Sequence, residues 1–298
     1  MSSIRKMEKN INFESPKMKK TLREYSNNPE YRPEIPVDAE KGFPLLRLSR
    51  EYFSFSDLIL TKELKEQLEY VITENKITSR FYELGLKPKQ KILFCGPPGT
   101  GKTLASKVVS SVTGFPFVYV MFDSIVSSFL GETATNLRKI FNFIENGRYV
   151  VLFDEFDIVG KKRDDPNEHG EIKRVVNNFM QMLDSYDGDS ILIFATNHQQ
   201  MLDTAIWRRF DEILFFDLPD TKQRKQLFKK YLSILKKSEE INFSSLARRT
   251  KDYSGAEISQ ICADSIRKAI VSDRNEINLN DLKWALSEQK RRKQIIKN

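Results

Sequence analysis

The chain has 298 residues, of which 40% are hydrophobic and 30% charged, so it is long enough for one large or two modest domains and is not a disordered polymer. Its 49 basic and 41 acidic residues give a net charge of +8, which we interpret as a solvated basic surface rather than a dedicated nucleic-acid patch. Two cysteines cannot form a disulfide framework, no apolar segment follows the charged start, and no apolar run is long enough to cross a membrane. These features predict a cytoplasmic protein without a membrane segment.

The first 48 residues are polar and are interrupted by five prolines, without helical or strand periodicity. We predict that residues 1–48 form an extended, partly disordered arm with no core of its own.

From Phe53 onward, helical stretches alternate with strand-like apolar runs. A first helix is predicted by LTKELKEQLEYVI, which places apolar residues on one face. The apolar runs are KILFC (91–95), PFVYV (116–120), YVVLF (149–153), ILIFA (191–195) and EILFF (212–216). Continuous apolar runs with helices between them are typical of buried parallel strands. We therefore predict an α/β domain over residues 49–218, with a doubly wound parallel sheet of five strands.

Beyond Pro219 the strand-like runs stop and the periodicity becomes helical, as in RKQLFKKYLSIL and GAEISQICADSIRKAI. Residues 219–298 are therefore predicted to form a small all-helical domain.

The first strand is followed by GPPGTGKTL, in which Gly-x-x-x-x-Gly-Lys-Thr is the pattern of a phosphate-binding loop. Glycines let backbone N–H groups turn toward phosphates, and the N-terminus of the next helix adds positive partial charge. We expect Lys102 to reach the β- and γ-phosphates and Thr103 to bind Mg²⁺. The chain is thus predicted to be a P-loop NTPase whose nucleotide is held by Gly96, Pro97, Pro98, Gly99, Thr100, Gly101, Lys102, Thr103 and Leu104.

An acidic pair follows the strand YVVLF, at the strand end where ligands bind in open α/β sheets. Asp154 is expected to hold Mg²⁺, and Glu155 to orient and polarise the attacking water. Acidic pairs also end strands in solvent without a function, but the phosphate-binding loop upstream favours the catalytic interpretation.

Three further residues are expected to act on the nucleotide. Asn197 ends the strand ILIFA-Thr196 and would fix the water against the γ-phosphate, unless it is simply a turn residue. Arg208 and Arg209 precede the last strand. Adjacent arginines are often a solvated turn, but this chemistry needs a cation on the transition-state charge, and no other arginine lies near these strand ends.

The motifs GPPGTGKT, LFDEFD, FATN, LDTAIWRRFDE and YSGAEISQICADSIRKAI resemble, in order and spacing, those of the AAA family of ATPases. This family includes katanin, spastin and the AAA modules of membrane metalloproteases, and the resemblance covers about residues 52–296. It implies Mg²⁺-dependent ATP hydrolysis in a hexameric ring, with Arg208 and Arg209 acting on the nucleotide of the neighbouring subunit. It also implies that Gly255 and Ala256 contact the nucleotide from the helical lid, and that Ile59 lies near the adenine.

The same resemblance gives a meaning to SSFLGET (127–133). In the family an aromatic, an aliphatic and a glycine residue at this point line a central pore and grip a substrate polypeptide, and here they are Phe129, Leu130 and Gly131. A Phe-Leu pair is more often a core element, but the glycine and the polar flanks favour the pore.

The chain departs from the family pattern in three respects. The segment that reads Arg-Pro-Gly-Arg in the family is shortened here to WRRF (207–210), which leaves open which of the two arginines contributes more to hydrolysis. The Asp-Gly-Phe segment reads Asp187-Gly188-Asp189 and lacks its aromatic ring. Only two histidines occur, so no H-E-x-x-H zinc protease is fused, and we expect a single ATPase module.

Two classes of function follow from these features. The favoured one is an ATP-driven motor that remodels, unfolds or translocates a protein substrate, with an adaptor or a separate peptidase as partner. The alternative is a nucleic-acid-linked switch or loader, favoured by the net charge and by Lys290-Arg291-Arg292-Lys293. A scaffold without turnover is disfavoured because every hydrolytic position is filled.

Overall fold

The computed structural model describes residues 33–38, 42–121, 130–157, 169–237 and 241–297, without the side chains of residues 130–132, 169–174 and 296–297. The chain divides into two compact units. The first unit comprises Met1–Ser54, Glu66–Cys95 and Thr103–Leu214, and the second comprises Phe55–Lys65, Gly96–Lys102 and Phe215–Asn298. The domain boundaries given above remain predictions.

A six-stranded sheet forms the centre of the first unit. Its strands are β1 (Leu46–Ser49), β2 (Lys91–Cys95), β3 (Phe117–Val120), β4 (Val150–Phe153), β5 (Ile191–Thr196) and β6 (Glu212–Phe215), in the order β1-β3-β4-β5-β2-β6. The pairs β3–β4, β4–β5 and β5–β2 are parallel. Strands β4 and β5 are buried along their whole length, as continuous apolar runs predict. The α/β class and the parallel character of the sheet are thus confirmed.

The sixth strand, β1, was not predicted: the sequence indicated a sheet of five strands, and the structure has six. It pairs with β3 in antiparallel fashion, with Leu46 opposite Val120. Leu45 and Leu46 are both 0% exposed and belong to the core of the first unit. Sequence periodicity missed the strand because it has only four residues and follows Pro44. Part of the segment interpreted as an extended arm is therefore built into the sheet.

Helices alternate with these strands along the chain. They are α1 (Lys62–Lys76), α2 (Thr78–Glu83), α3 (Lys102–Thr113), α4 (Leu130–Glu145), α5 (His169–Ser185) and α6 (Thr204–Trp207). Aromatic rings fill much of the core, where Phe153 stacks on Phe194 with ring centroids 4.7 Å apart and Phe179 meets both rings edge-on.

The second unit is built on four helices, α7 (Thr221–Tyr231), α8 (Phe243–Arg249), α9 (Gly255–Val271) and α10 (Leu279–Lys297). Helix α9 packs against both α7 and α10. The helical lid is confirmed, except that two-residue strands β7 (Lys236–Lys237) and β8 (Glu276–Ile277) also pair there. Across the described part of the chain, no helix is both long and apolar enough to span a bilayer.

Candidate active site

The loop that follows β2 depends on glycine at two positions. Gly96 has φ +135°, and a Cβ placed on it would lie 2.1 Å from the carbonyl oxygen of Phe216. Gly99 has φ +74°, and a Cβ there would lie 2.8 Å from both Ser254 Oγ and Ala256 Cβ. Because both the backbone conformation and the close approach exclude a side chain, only glycine fits at these two positions of the loop.

Lys102 is enclosed by this loop and is only 6% exposed. Its ammonium donates hydrogen bonds to the carbonyl oxygens of Gly96, at 2.6 Å, and Pro97, at 2.9 Å. The hydroxyl of Thr100 donates to the same Pro97 oxygen at 2.8 Å. The loop therefore holds a buried positive charge at its centre, which suits a phosphate group.

The N-terminus of α9 lies against the loop. The N–H of Ala256 donates to the Gly99 carbonyl at 3.0 Å, and a Cβ on Gly255 would come within 3.3 Å of that oxygen. Ser254 and Glu257 cap the helix reciprocally, Ser254 Oγ accepting from the Glu257 N–H and Glu257 Oε2 from the Ser254 N–H. The structure thus places Gly255 and Ala256 beside the phosphate-binding loop, with the positive end of a helix dipole.

Ile59 belongs to the same unit and is half-buried against its hydrophobic core. The preceding turn is tied to α7, because Lys230 Nζ donates to the Ser56 carbonyl at 2.9 Å and lies 3.3 Å from Asp57 Oδ1. The second unit therefore contains most of the residues that were predicted to bind the nucleotide, namely Ile59, residues 96–102, Gly255 and Ala256, whereas Thr103, Leu104 and Asp154 belong to the first unit.

The predicted magnesium ligands meet in the first unit. Thr103 Oγ1 donates to Asp154 Oδ2 at 3.0 Å, and Asp154 Oδ1 accepts the N–H of Glu155 at 2.9 Å. A hydroxyl and a carboxylate oxygen at this separation are the hard ligands that Mg²⁺ prefers. The residues present therefore fit the ion. Leu104, the next residue of α3, is half-buried.

Glu155 has an unusual backbone, with φ +53°, and an exposed side chain. The next residue, Phe156, is 0% exposed, and its N–H donates to the Ala195 carbonyl at 2.9 Å. A non-glycine residue in the left-handed region costs about 1–3 kcal/mol, and such strain clusters at functional sites. Burial of Phe156 thus stabilises a strained turn that leaves the Glu155 carboxylate accessible, as a water-activating group requires.

The backbone around Asn197 is held by Thr196 and Asp157, two residues that were not predicted from the sequence. Thr196 Oγ1 donates to Asp157 Oδ1 at 3.2 Å and accepts the N–H of His198 at 3.0 Å. Asn197, between them, is half-buried, and its side chain makes no hydrogen bond within the described part of the chain. The bonds of Thr196 fix the backbone on both sides of Asn197. The sequence did offer a signal for Asp157, because it is the last residue of the LFDEFD motif and therefore follows the same strand as Asp154.

The two arginines are held differently. Arg209 Nε lies 2.9 and 3.0 Å from the carboxylate oxygens of Asp184, and its Nη1 donates to the Ala205 carbonyl at 2.7 Å. The side chain of Arg208 is exposed and has no hydrogen-bond or ion-pair partner among the residues that the structure describes. Asp184, on α5, was not singled out from the sequence, which carries no local signal for it.

Other predicted elements are only partly visible. Phe129 lies outside the described residues, and Leu130 and Gly131 begin α4 without described side chains. The Asp187-Gly188-Asp189 segment is held within the first unit by three contacts: Lys87 Nζ to Asp187 Oδ1 at 2.5 Å, Gln90 Nε2 to the Gly188 carbonyl at 3.0 Å, and Tyr82 Oη to Asp189 Oδ1 at 3.0 Å. Burial, reinforced by Asp189, raises the pKa of Tyr82 to about 12.

Comparisons with known proteins identify the family. Residues 92–218 match the model of the ATPase family associated with various cellular activities (AAA), and residues 240–284 match that of the AAA+ lid domain. An uncharacterised AAA family ATPase of Sinorhizobium fredii is 37% identical over 240 residues, which cover 80% of this chain and 72% of the relative.

Two proteasome-activating nucleotidases are also similar. That of Saccharolobus solfataricus is 35% identical over 76% of this chain and 58% of its own length. That of Sulfurisphaera tokodaii is 34% identical over 80% of this chain and 63% of its own length. The chain therefore spans less than two thirds of these two relatives.

The matched segments contain the phosphate-binding loop, the acidic pair, Asn197 and both arginines, together with Gly255 and Ala256 of the lid. The sequence motifs, the two family matches and the Sinorhizobium fredii relative, which is covered over 72% of its length, all indicate the same family. The chain belongs to the AAA family and is an ATPase.

Proposed function

We propose that the protein is a Mg²⁺-dependent ATPase motor that forms a hexameric ring and unfolds, remodels or translocates a protein substrate through its pore. The observation that carries the chemistry is the Thr103–Asp154 hydrogen bond next to Glu155, whose strained backbone leaves its carboxylate accessible. Asp252 and Asp273 are also exposed acids with a positive φ, so the backbone of Glu155 supports the proposal only together with its place beside Asp154.

In this proposal each part of the chain has one task. The N–H groups of residues 96–102 and the Lys102 ammonium bind the phosphates, and Thr103 and Asp154 hold Mg²⁺, which neutralises charge on the phosphates. Glu155 polarises the attacking water and Asn197 orients it. A cation from a neighbouring subunit, Arg208 or Arg209, stabilises the charge that develops in the transition state.

The protein substrate is inferred from relatives. Two of them are named proteasome-activating nucleotidases, which links the family to protein turnover. Because this chain covers only part of their length, its substrate, its adaptor or peptidase partner and its ring are our proposals. We also propose a cytoplasmic location, since both cysteines are buried and form no disulfide.

The nucleic-acid alternative has one observation in its favour. Residues 215–298 carry 19 Lys and Arg against 11 Asp and Glu, a surplus of 8 that equals the net charge of the whole chain. Ion pairs within these residues leave that surplus unchanged, but they involve the basic run that suggested nucleic acid: three of the four cations in residues 290–293 are paired, as Arg291–Glu288, Arg292–Asp264 and Lys293–Glu257. A phosphate-binding surface needs exposed, unpaired cations, so the motor remains the better proposal.

The experiment that separates the two functions uses Phe129→Ala, with the exposed aromatic change Tyr52→Ala as control. ATPase rates are measured at two salt concentrations with no addition, with unfolded casein, or with DNA or RNA. A motor is stimulated by casein, and Phe129→Ala alone abolishes that stimulation while keeping basal hydrolysis. Salt-sensitive stimulation by nucleic acid that persists in Phe129→Ala would instead establish the switch.

A pull-down identifies the natural substrate. The Glu155→Gln variant, loaded with ATP, keeps its ligands for nucleotide and Mg²⁺ and is expected to retain bound proteins for mass spectrometry. Lys102→Ala, which should not bind ATP, is the matched control.

A further inference from the structure

The segment that carries both arginines is anchored on each side of them, by Ile206 and by Phe210. Ile206 is 4% exposed in the core of the first unit, and the ring of Phe210 lies 5.2 Å from Phe194 and 6.0 Å from Phe156, centroid to centroid. Arg208 is the C-cap residue that follows α6, with helical backbone angles and an exposed side chain. The direction of Arg208 therefore depends on how firmly the neighbouring residues hold the end of α6.

Arg209 supplies that hold. Its Nε donates to the carboxylate of Asp184 on α5, and its Nη1 donates to the Ala205 carbonyl and so caps the last turn of α6. A carboxylate that faces a guanidinium neutralises its charge, and Arg209 could reach a phosphate only by leaving both partners. Arg208, one residue away, has its full charge exposed and no partner in the part of the chain that is described.

We infer that the two arginines do not share one function: Arg208 is the cation that acts on the neighbouring subunit's ATP, and Arg209 is a positioning residue that works through Asp184. This rests on the proposed function, in which an arginine acts between subunits. Asp184 thereby becomes a positioning residue for hydrolysis, although it touches neither nucleotide nor metal.

The decisive test exchanges the charges of the pair. Arg209→Asp and Asp184→Arg are measured singly and together, beside Arg208→Ala and Arg208→Lys, for kcat, nucleotide affinity and melting temperature. Each single exchange places two like charges together and is expected to lower kcat, whereas the double variant restores the ion pair and recovers most of the loss, which a double-mutant cycle quantifies. Arg208→Ala is expected to lose on the order of 10³-fold in kcat, as loss of an arginine finger does.

A mixing experiment tests the proposed function separately. Arg208→Ala chains mixed with Lys102→Ala chains should regain hydrolysis, because some boundaries then pair an intact loop with an intact Arg208. Co-assembly is verified by light scattering with ATP.

The possible failures are distinguishable. If mixing restores activity but the double exchange stays inactive with a wild-type melting temperature, Arg209 is itself a finger, and the inference is wrong while the proposed function stands. If Arg208→Ala keeps wild-type kcat, the inference is wrong, whereas the proposed function stands with Arg209 as the finger. If Arg208→Ala is inactive and co-assembled mixtures stay inactive, action between subunits is wrong and the inference falls with it. If the single exchanges leave kcat unchanged, the Arg209–Asp184 pair positions nothing.

Discussion

The two compact units of the chain divide the predicted site residues between them. The second unit holds Ile59, the loop 96–102 and the start of α9, all of which are suited to bind a nucleotide. The first unit holds Thr103, Asp154, Glu155, Asn197 and both arginines, which are suited to hydrolyse it. Lys102 and Thr103 are consecutive in the chain, so the boundary between the two units falls at the end of the phosphate-binding loop. We therefore expect changes in the second unit to alter affinity and changes in the first unit to alter turnover.

The largest expected effects contrast one residue from each unit. Glu155→Gln should lower kcat by about 10²–10⁴-fold, because the water loses its base, while the affinity for Mg²⁺-ATP is retained. Lys102→Ala should instead lose ATP affinity, because the loop loses its buried cation. Single-turnover kinetics and nucleotide titration separate the two.

Lys107→Ala is the matched control for these changes. Lys107 lies on α3 and pairs with Glu51 at 3.6 Å, so its loss should leave affinity and turnover unchanged. An equal loss of affinity in Glu155→Gln and Lys102→Ala would contradict the division between the units.

A second contrast concerns the phosphate-binding loop. Gly96→Ala should abolish nucleotide binding, because the new Cβ would lie 2.1 Å from a backbone oxygen that cannot move independently. Gly85→Ala is the control: Gly85 also has a positive φ, +71°, but nothing lies within 4 Å of its Cβ position. This control should cost only about 1 kcal/mol of the free energy of unfolding and leave ATP binding intact. Titration with a fluorescent nucleotide and thermal unfolding measure both effects.

These loop residues show what the sequence predicts well. The glycines, lysine and threonine of the loop lie within eight consecutive residues, so its conformation depends mainly on local sequence. The strand before it and the helix after it are long enough to recognise. The capping of α9 could have been found as well, because Ser254 and Glu257 have the S-x-x-E spacing.

Features that depend on distant residues were not predictable in this way. Asp184 lies 25 residues before Arg209, and only the packing of α5 near α6 brings them together. Strand β1 is a second example, since its four residues are recognisable as a strand only from their pairing with β3. The sequence therefore predicted the groups that bind and react, but not the groups that position them or the strand that completes the sheet.

A third prediction tests that strand. Leu46→Ala should lower the free energy of unfolding by about 2–5 kcal/mol, because a side chain that is 0% exposed leaves a cavity. Phe43→Ala, at a residue that is 59% exposed, should have little effect. Chemical denaturation measures both, and a stable Leu46→Ala variant would show that β1 is dispensable.

Truncation gives the same test on a larger scale. Deletion of residues 1–32 should leave basal ATPase activity nearly unchanged, whereas deletion of residues 1–49 removes β1 and should reduce stability and ATPase activity together. Loss of activity in the shorter truncation would mean that residues 1–32 support the ATPase directly.

The smallest expected effect concerns the start of α9, where a cap and a nucleotide-binding contact coincide. Ser254→Ala removes the side chain that accepts the Glu257 N–H and should lower stability by about 1 kcal/mol. If the first turn of α9 loosens, the hydrogen bond from Ala256 to Gly99 weakens, and ATP affinity should fall by up to about fivefold, the equivalent of that energy. Isothermal titration with a non-hydrolysable ATP analogue measures it, and kcat at saturating ATP should stay unchanged.

A matched cap distinguishes this coupling from a general loss of stability. Asp220 forms the same reciprocal cap with Gln223 at the start of α7, so Asp220→Ala should lower stability by a similar amount. Because Asp220 makes none of the contacts to the loop that Ala256 makes, its loss should leave ATP affinity unchanged.

The cap of α9 also depends on pH. Burial opposes ionisation of Glu257, but Lys293 and the Ser254 N–H more than offset burial, so the pKa of the carboxyl is lowered. A lowered pKa in the folded state means that this stabilisation is present above the ordinary glutamate pKa, about 4.3, and is lost as the pH falls through the folded value. Glu257→Gln should therefore destabilise the protein at pH 7 and progressively less toward pH 3. A stability difference that does not change between these pH values would show that the Glu257 charge contributes nothing to the cap.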